Sequence, residues 1–451
     1  MKEALKVGVS GVRGVVGDSF TPQVATSFAQ AFGTFVGRGA VVVGRDTRPS
    51  GVMIERAVVS GLLSVGCKPV LAGIVPTPTL LMLTKDLGAR GGIAITASHN
   101  PSPWNALKFV DRTGLFLSET RANELFDIYH QQDFPLVPES EIPTVAIESD
   151  PMSGHFRRIK DYVDCAAVRK AGLKVAVDCC NGVGALHSVP FLKDMLGCEV
   201  VAIYDKPSGI FEREPEPMPK NLKLLCDTVV QKKCAIGFAQ DPDGDRLAIV
   251  NEKGEPIGED LTLAFAVQQV LARHGKGPVA VNLSSSKCVE YVANQFGSEV
   301  VRTKIGEINV SETMLRVGAV VGGESNGGVI IPAVHPCRDS FVGMAIVLEM
   351  MAETGKTVSE LRQAIPRYFV VKDKIRIRAE QAPLVIRALR REYADREVNL
   401  LDGIYVDFGE SWVHARRSNT EPVIRITAEA RSEDEARRLA ADLRSKVENA
   451  L

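Results

Sequence analysis

One pattern constrains the fold of this chain more than any other. An apolar strand, a helix, a second strand after glycine and a third strand with a polar exit are written out three times. The first strands are VVVGRDTRPSG at 41–51, VAVDCCNGVGA at 175–185 and VAVNLSSSKC at 279–288. The second follow glycine in GCKPVLAG from 66, GCEVVAIY from 197 and GSEVVRTK from 297. The third leave through GGIAITASHNP, CAIGFAQDPDGDR and VGAVVGGESNGG. Strand–helix–strand likeness arises by chance in any α/β protein. Here a Gly-Cys or Gly-Ser pair recurs at the same place in each copy, which favours true repetition. The helices between can be read too. After Ser50, residues Ile54, Val58, Leu62 and Val65 form one buried face, and Gly66 stops it. Thr21-Pro22 reads as N-cap and first helical residue, with Val24, Phe28, Phe32 and Phe35 as the stripe. This alternation predicts α/β layers with mixed, mainly parallel sheets. Ligands in such sheets bind beyond the carboxyl ends of the strands, so the polar exits are where a site is expected.

The end of the chain differs. YVDFGESWVHARRSNTEPVIRITAEA reads as strands joined by a turn. SEDEARRLAADLRSKVENAL then opens with Ser432 and Glu435 as a capping box and runs helical. That predicts a smaller α+β domain. Breaks near 150–155, near 251–258 and at Pro366 divide the 451 residues into 1–152, 153–253, 254–366 and 367–451. With 54 basic and 55 acidic side chains, the charge of −1 gives no case for a nucleic-acid or anionic-membrane partner. No apolar run reaches the ~18 residues of a spanning helix. The opening MKEALKVGVSGVRG has no apolar signal core. Nine scattered cysteines, none in a C-x-x-C pair, read as reduced packing residues of a cytosolic protein. The pattern leaves oligomeric state open.

The exits carry chemistry. In DPDGDR, Asp241, Asp243 and Asp245 alternate in a tight turn, where three carboxylates repel one another unless a cation lies between them. Hard oxygen ligands favour magnesium, manganese or calcium; the alternative is a solvated acidic turn. An EF-hand fails, although Glu252 falls at its twelfth position, because Arg246 stands where glycine is needed. Arg246 suits a phosphoryl oxygen. In TASHNP, Ser98 is a phosphoryl carrier or a polar turn. His99, in an extended segment, would point away from it, and Lys108 would serve as base if the loop folds back. GGESNGG offers Glu324 and Asn326 to sugar hydroxyls, or is a flexible turn. RRSNTEP, followed by Arg425, has a phosphate-binding composition, or is a solvated turn. GVSGVRGVVG is neither a dinucleotide fingerprint nor a P-loop, and TGKT at 354–357 lacks the upstream glycine of a Walker motif. Arg13, in what reads as a flexible loop, is a phosphate ligand or a surface charge.

Together, TASHNP, DPDGDR, GESNGG and RRSNTEP, in this order and at these intervals, resemble the α-D-phosphohexomutase superfamily over essentially the whole chain. The resemblance implies three related α/β domains and a smaller fourth around a central cleft. It implies that phospho-Ser98 donates its phosphoryl group to a sugar monophosphate. The bisphosphorylated sugar reorients, and its other phosphate returns to Ser98. Mg²⁺ would be held by a phosphoserine oxygen, Asp241, Asp243 and Asp245, and a hexose 1,6-bisphosphate would prime the serine. Arg246 and Arg13 would stabilise the transferring group, with Lys108 in proton transfer and His99 beside the serine. Glu324, Ser325, Asn326 and Lys304 would contact the sugar. Arg417, Ser418, Asn419, Thr420 and Arg425 would hold the non-reacting phosphate. One departure matters: many glucose and mannose members carry Gly-Glu-x-Ser-Gly-His at the sugar loop, where this chain has Asn326 for the serine and Gly328 for the histidine. That removes an acid/base candidate, for which His335 in PAVHPCRD is the nearest substitute. The Asn-Gly-Gly form resembles a branch usually assigned to glucosamine phosphate, with glucose/mannose mutases close by. A metal-dependent phosphohydrolase and a non-catalytic sugar-phosphate sensor are the rival readings.

Overall fold

The computed structural model describes residues 4–418 and 422–451. Four sheets follow one another along the chain. The first contains β1 (Lys6–Gly8), β2 (Gly11–Val15), β3 (Ala40–Arg45), β4 (Lys68–Ile74), β5 (Gly91–Ile95), β6 (Trp104–Asp111) and β7 (Ala146–Ile147), in the order β1-β2-β6-β5-β3-β4-β7. The second contains β8 (Lys174–Asp178), β9 (Glu199–Ile203), β10 (Ile236–Gln240) and β11 (Leu247–Asn251), in the order β11-β10-β8-β9. The third contains β12 (Val279–Asn282), β13 (Val300–Thr303), β14 (Val321–Glu324), β15 (Gly328–Ile331) and β16 (His335–Arg338), in the order β13-β12-β14-β15-β16.

One topology is used three times. The units β6-β5-β3-β4, β11-β10-β8-β9 and β15-β14-β12-β13 each set three parallel strands beside one antiparallel return. The three exits sit at one address, the connection from third strand to return. That connection carries Ser98 in the first unit, the aspartates in the second and the Glu324 turn in the third.

Helices pack on these sheets because their stripes are apolar. Ile54, Val58 and Leu62 of helix Gly51–Ser64 are fully buried, and Gly66 follows at φ 78°. Thr21 caps helix Pro22–Val36 by accepting the Val24 N–H, with Phe28 and Phe32 buried and Val24 and Phe35 at the margin. One apolar core runs through the second and third units and takes in Met82 of the first. Polar side chains pin the same three units together. His155 Nδ1 lies 2.8 Å from Thr79 Oγ1 and its Nε2 2.7 Å from Asp339 Oδ2, all three residues buried. Among the described residues, no helix is long and apolar enough to cross a membrane.

The last sheet, with β17 (Phe369–Arg376), β18 (Val398–Asn399), β19 (Ile404–Asp407), β20 (Trp412–Arg417) and β21 (Val423–Ala430), is antiparallel throughout. Helices Ala382–Glu392 and Glu433–Asn449 complete an α+β unit with its own core. Ser432 accepts the Glu435 N–H as a cap, but among the described residues the reciprocal half of the expected box is not made. A full capping box stands instead at Thr357 and Glu360.

The glycine-rich start is not the flexible loop expected of it. It is a β1–β2 hairpin, with Arg13 in β2 opposite Ala106 of β6. Gly11 and Gly14 serve close approach. Gly11 has φ 102°, and a Cβ there would stand 2.1 Å from the Leu107 carbonyl oxygen.

Candidate active site

Ser98 begins the site. It follows β5, is buried, and has φ 48°, a left-handed conformation rare for a residue with a Cβ. The turn corrects the extended reading of TASHNP, and it brings His99 Nδ1 to 3.3 Å from Ser98 Oγ. Arg48, fully buried, holds the turn from the neighbouring strand exit. Its guanidinium donates to the carbonyls of Ser98 (2.7 Å), Asn100 (2.6 Å), Pro101 (2.8 Å) and Trp104 (3.1 Å). Asp46 balances that charge, at 3.0 Å from Arg48 Nε, and accepts from Thr96. Burial raises the Asp46 carboxyl, against Arg48, which lowers it. Sequence reading missed this pair, although it lies in a polar exit, GRDTR.

Ser98 Oγ donates to Asp241 Oδ2 at 2.8 Å, joining the first exit to the second. Asp241, Asp243 and Asp245 are all buried, and one oxygen from each falls within 4.8 Å of the others. Among the described residues, Asp243 Oδ1 and Asp245 Oδ1 are buried with no hydrogen-bond partner, Asp245 Oδ1 having Arg246 Nε at 3.9 Å. Buried carboxylate oxygens without hydrogen bonds at such spacing fit a hard divalent cation. Thr77, at the start of helix Thr77–Asp86, donates to Asp243 Oδ2 at 2.7 Å. Lys108, on the return strand β6, reaches the same oxygen at 2.7 Å and Asp245 Oδ2 at 3.7 Å. Burial works against the lysine charge, but Asp243 and Asp245 outweigh it and raise its pKa. Burial likewise opposes the charge on Asp243, where Lys108 and the hydrogen bonds prevail and hold it ionised. Asp241 is raised, by burial first and then by its two acidic neighbours. Glu252 is turned elsewhere, onto Ser359, as the failed EF-hand reading requires.

Two arginines border the cluster. The Arg246 backbone N–H donates to Asp241 Oδ1 at 3.1 Å, and its Nη1 to Glu216 Oε1 at 2.9 Å. Arg13 Nη1 lies 3.3 Å from Asn100 Oδ1, which places it over the serine loop. His99 is pulled down to about 2, by burial and then by the Arg246 charge, so its imidazole is neutral.

The third exit joins through a residue the sequence reading passed over. Arg338, at the end of β16, binds Asp245 at 2.6 Å and Glu324 at 3.0 Å. Glu324 is buried and also accepts from Asn282 Nδ2 and the Gly306 N–H. Ser325 and Asn326 form the hairpin tip, where Asn326 Oδ1 accepts the Gly328 N–H. Lys304 is exposed two residues before Gly306 and is not brought onto the aspartates. His335 is no substitute acid/base. Its Nε2 donates to the Gly114 carbonyl at 2.7 Å, away from the aspartates, and burial lowers it to about 4.

The fourth exit is a separate cluster. Arg417 ends β20 exposed, and Ser418 and Arg425 meet through Arg425 Nε at 3.3 Å from Ser418 Oγ. Asn419 and Thr420 lie outside the described residues. This unit rests on the third through Leu283 against Tyr405 and Trp412 and through polar contacts. Lys287 reaches Asp407 at 2.8 Å, the Ile305 N–H reaches Asp402 at 3.2 Å, and Ser284 meets His414 at 3.0 Å.

Comparison with known proteins agrees with this assembly. Profiles described as phosphoglucomutase/phosphomannomutase alpha/beta/alpha domains I, II and III match residues 4–136, 153–254 and 258–369, and that of the C-terminal domain matches 369–446. A probable phosphoglucosamine mutase of Methanopyrus kandleri is 40% identical over 437 residues, 96% of this chain and 95% of that one. A phosphoglucomutase/phosphomannomutase of Thermococcus kodakarensis is 37% identical, over 95% of each. A solved phosphoglucomutase/phosphomannomutase family structure from Burkholderia thailandensis superposes with a TM-score of 0.84 at 28% identity, covering 98% of this chain and 96% of that one. With four domain matches in order and relatives similar along nearly its whole length, the chain belongs to the phosphoglucomutase/phosphomannomutase family of phosphohexomutases, which are intramolecular phosphotransferases.

Proposed function

We propose that Ser98 is the phosphoryl carrier of a hexose 6-phosphate/hexose 1-phosphate mutase, with glucosamine phosphate as the preferred sugar. One observation carries the residue assignment. Ser98 Oγ sits 2.8 Å from Asp241, in a buried carboxylate cluster that still has unpaired oxygens. In the first transfer the Ser98 Oγ–phosphorus bond breaks as a sugar hydroxyl oxygen bonds to phosphorus. The hydroxyl loses one proton and Ser98 Oγ gains one. Lys108 is the group set to relay it, because its ammonium is already held at the cluster. Arg246 and Arg13 balance charge on the moving group, whose transfer asks mainly for positioning. Asp241, Asp243 and Asp245, with a phosphoserine oxygen, would hold Mg²⁺, which when bound neutralises charge on the phosphoryl group. His99, neutral at 3.3 Å, orients the serine oxygen rather than carrying charge.

The bisphosphorylated sugar then turns end for end and its other phosphate returns to Ser98. Glu324, Ser325, Asn326 and Lys304 would meet the hydroxyls, and Arg417, Ser418, Asn419, Thr420 and Arg425 the idle phosphate at either end. The sugar assignment rests on the Asn326 and Gly328 pattern and on relatives described as phosphoglucosamine mutases. A hexose 1,6-bisphosphate primes the serine, in a cytosolic setting. Units 1–152, 153–253, 254–366 and 367–451 divide these tasks.

The test is a ³¹P NMR panel with purified protein, Mg²⁺ and a trace of glucose 1,6-bisphosphate. Glucosamine 6-phosphate, glucose 6-phosphate and mannose 6-phosphate are supplied in turn. A new 1-phosphate resonance, fastest from glucosamine 6-phosphate, is expected. Accumulating free phosphate would make the protein a hydrolase. Binding of all three without turnover, unchanged in Ser98→Ala, would make it a sensor.

A further inference from the structure

Gly328 and Arg338 occupy one space. They lie on the paired strands β15 and β16, with Arg338 opposite Ile330. A Cβ on Gly328 would stand 2.3 Å from Arg338 Cδ and 2.8 Å from its Cγ. No side chain at 328 fits while Arg338 holds its place. The arginine stem crosses the volume that a histidine at 328 would need.

What the stem reaches explains the arrangement. Glu307, the first residue of helix Glu307–Val317, anchors the base: its Oε1 accepts the Arg338 N–H at 3.0 Å and its Oε2 accepts Arg338 Nε at 3.0 Å. Both terminal nitrogens are thereby aimed. Nη1 meets Glu324 Oε2 at 3.0 Å, and Nη2 meets Asp245 Oδ2 at 2.6 Å. A planar guanidinium fixed at its base holds two carboxylates at a set separation, which a lysine ammonium cannot do. One of those carboxylates belongs to the metal-fitting cluster and the other to the sugar turn.

We infer that Arg338 is a positioning residue that fixes the Glu324 carboxylate for the sugar hydroxyls and ties it to Asp245. Gly328 is its structural counterpart, since the arginine can reach both only across a residue without a side chain. This rests on the reading of Glu324 as a sugar contact given above. A guanidinium keeps its charge near neutral pH and offers no base, so Arg338 takes the place of a histidine in space without taking over acid/base work.

The experiment is steady-state kinetics on the full-length protein with Mg²⁺, glucosamine 6-phosphate and a trace of glucose 1,6-bisphosphate. Arg338→Lys, Gly328→Ala, Glu324→Gln and their pairwise doubles are compared. Arg338→Lys is expected to raise KM at least tenfold and to change kcat less than threefold. Gly328→Ala, which keeps every charge, displaces the arginine and crowds Asn326 Oδ1 only at 3.0 Å, is expected to raise KM at least fivefold. In the Glu324→Gln background each is expected to add less than twofold, because the carboxylate they position is gone. The inference is overturned if both single variants keep KM within twofold of wild type. It is overturned equally if their effects multiply unchanged in the Glu324→Gln background, or if kcat falls while KM stays. Should Arg338→Lys fail to fold by circular dichroism, Gly328→Ala and its double with Glu324→Gln decide alone. Failure of the mutase reading shows separately, as a wild-type control with no turnover and no phosphate on the Ser98 peptide by mass spectrometry; the positioning role then falls with it.

Discussion

Ser98 pays in backbone strain for where its oxygen points. At φ 48° a residue with a Cβ gives up about 1 kcal/mol that glycine would keep. Two substitutions separate that cost from the chemistry. Ser98→Ala and Ser98→Gly both remove the transferring oxygen, so turnover by either is expected to fall at least a thousandfold in the NMR assay. Urea unfolding should nonetheless find Ser98→Gly more stable than Ser98→Ala by about 1 kcal/mol. Equal stabilities would mean that the turn relaxes when the hydroxyl is gone. The strain was not legible in TASHNP, because serine gives no sign of a left-handed turn. The three aspartates were legible, since their spacing within six residues states the problem that a cation solves. Arg48 and Arg338 were not: Asp46 and Glu324 are near them in sequence, but Ser98 and Asp245 lie 50 and 93 residues away, and only the packed sheets bring these together.

At the scale of elements, the repeated strands were readable because each parallel strand is a short apolar run ending in a polar exit. LAIV after DPDGDR was readable as the strand that becomes β11, but the returns β6 and β15, which carry Lys108 and Gly328, were left unseen. The β1–β2 hairpin was missed for a related reason: its glycines look like slack, while Gly11 and Gly14 serve as clearance. His335 shows how an element end can be mistaken for chemistry. It joins β16 to the Gly114 turn of the first unit, and its burial has a measurable signature. A histidine lowered from 6.5 to about 4 binds its proton less readily folded than unfolded. Arg158, Lys85 and His155 nearby add to that lowering. The stability it contributes is therefore complete above pH 6.5 and is lost as pH falls toward 4. The loss is on the order of 2–3 kcal/mol for a single group shifted this far. His335→Gln should be less stable than wild type at pH 7.5 and should lose less on acidification to pH 4.5. Parallel pH profiles in urea melts would show that other groups control the acid limb.

For the whole molecule, the contrast is between a fused trio and a resting fourth part. The second and third units share one apolar core, and the Thr79–His155–Asp339 link draws in the first. The C-terminal unit has a core of its own and meets the third through a small apolar cluster and charged side chains. Calorimetry is expected to show one large transition for the first three units and a smaller, separable one for the C-terminal unit. The proposed phosphoserine chemistry asks for water to be excluded, and the C-terminal unit is expected to close over substrate to do it. Small-angle scattering of Ser98→Ala with glucose 1,6-bisphosphate should then give a smaller radius of gyration than without it. An unchanged radius under saturating ligand would rule closure out.

The common address of the three exits has a consequence for how this molecule can change. In the proposed function, carrier, charge neutraliser and sugar reader are the same joint of the same part, built three times with different contents. Each job therefore has its own replaceable cartridge, and rewriting residues 324–328 leaves the carrier and neutraliser as they are. The coupling through Arg338 sets the limit on that freedom. A new sugar reader must still present a carboxylate where the arginine expects one, or supply its own tie to Asp245.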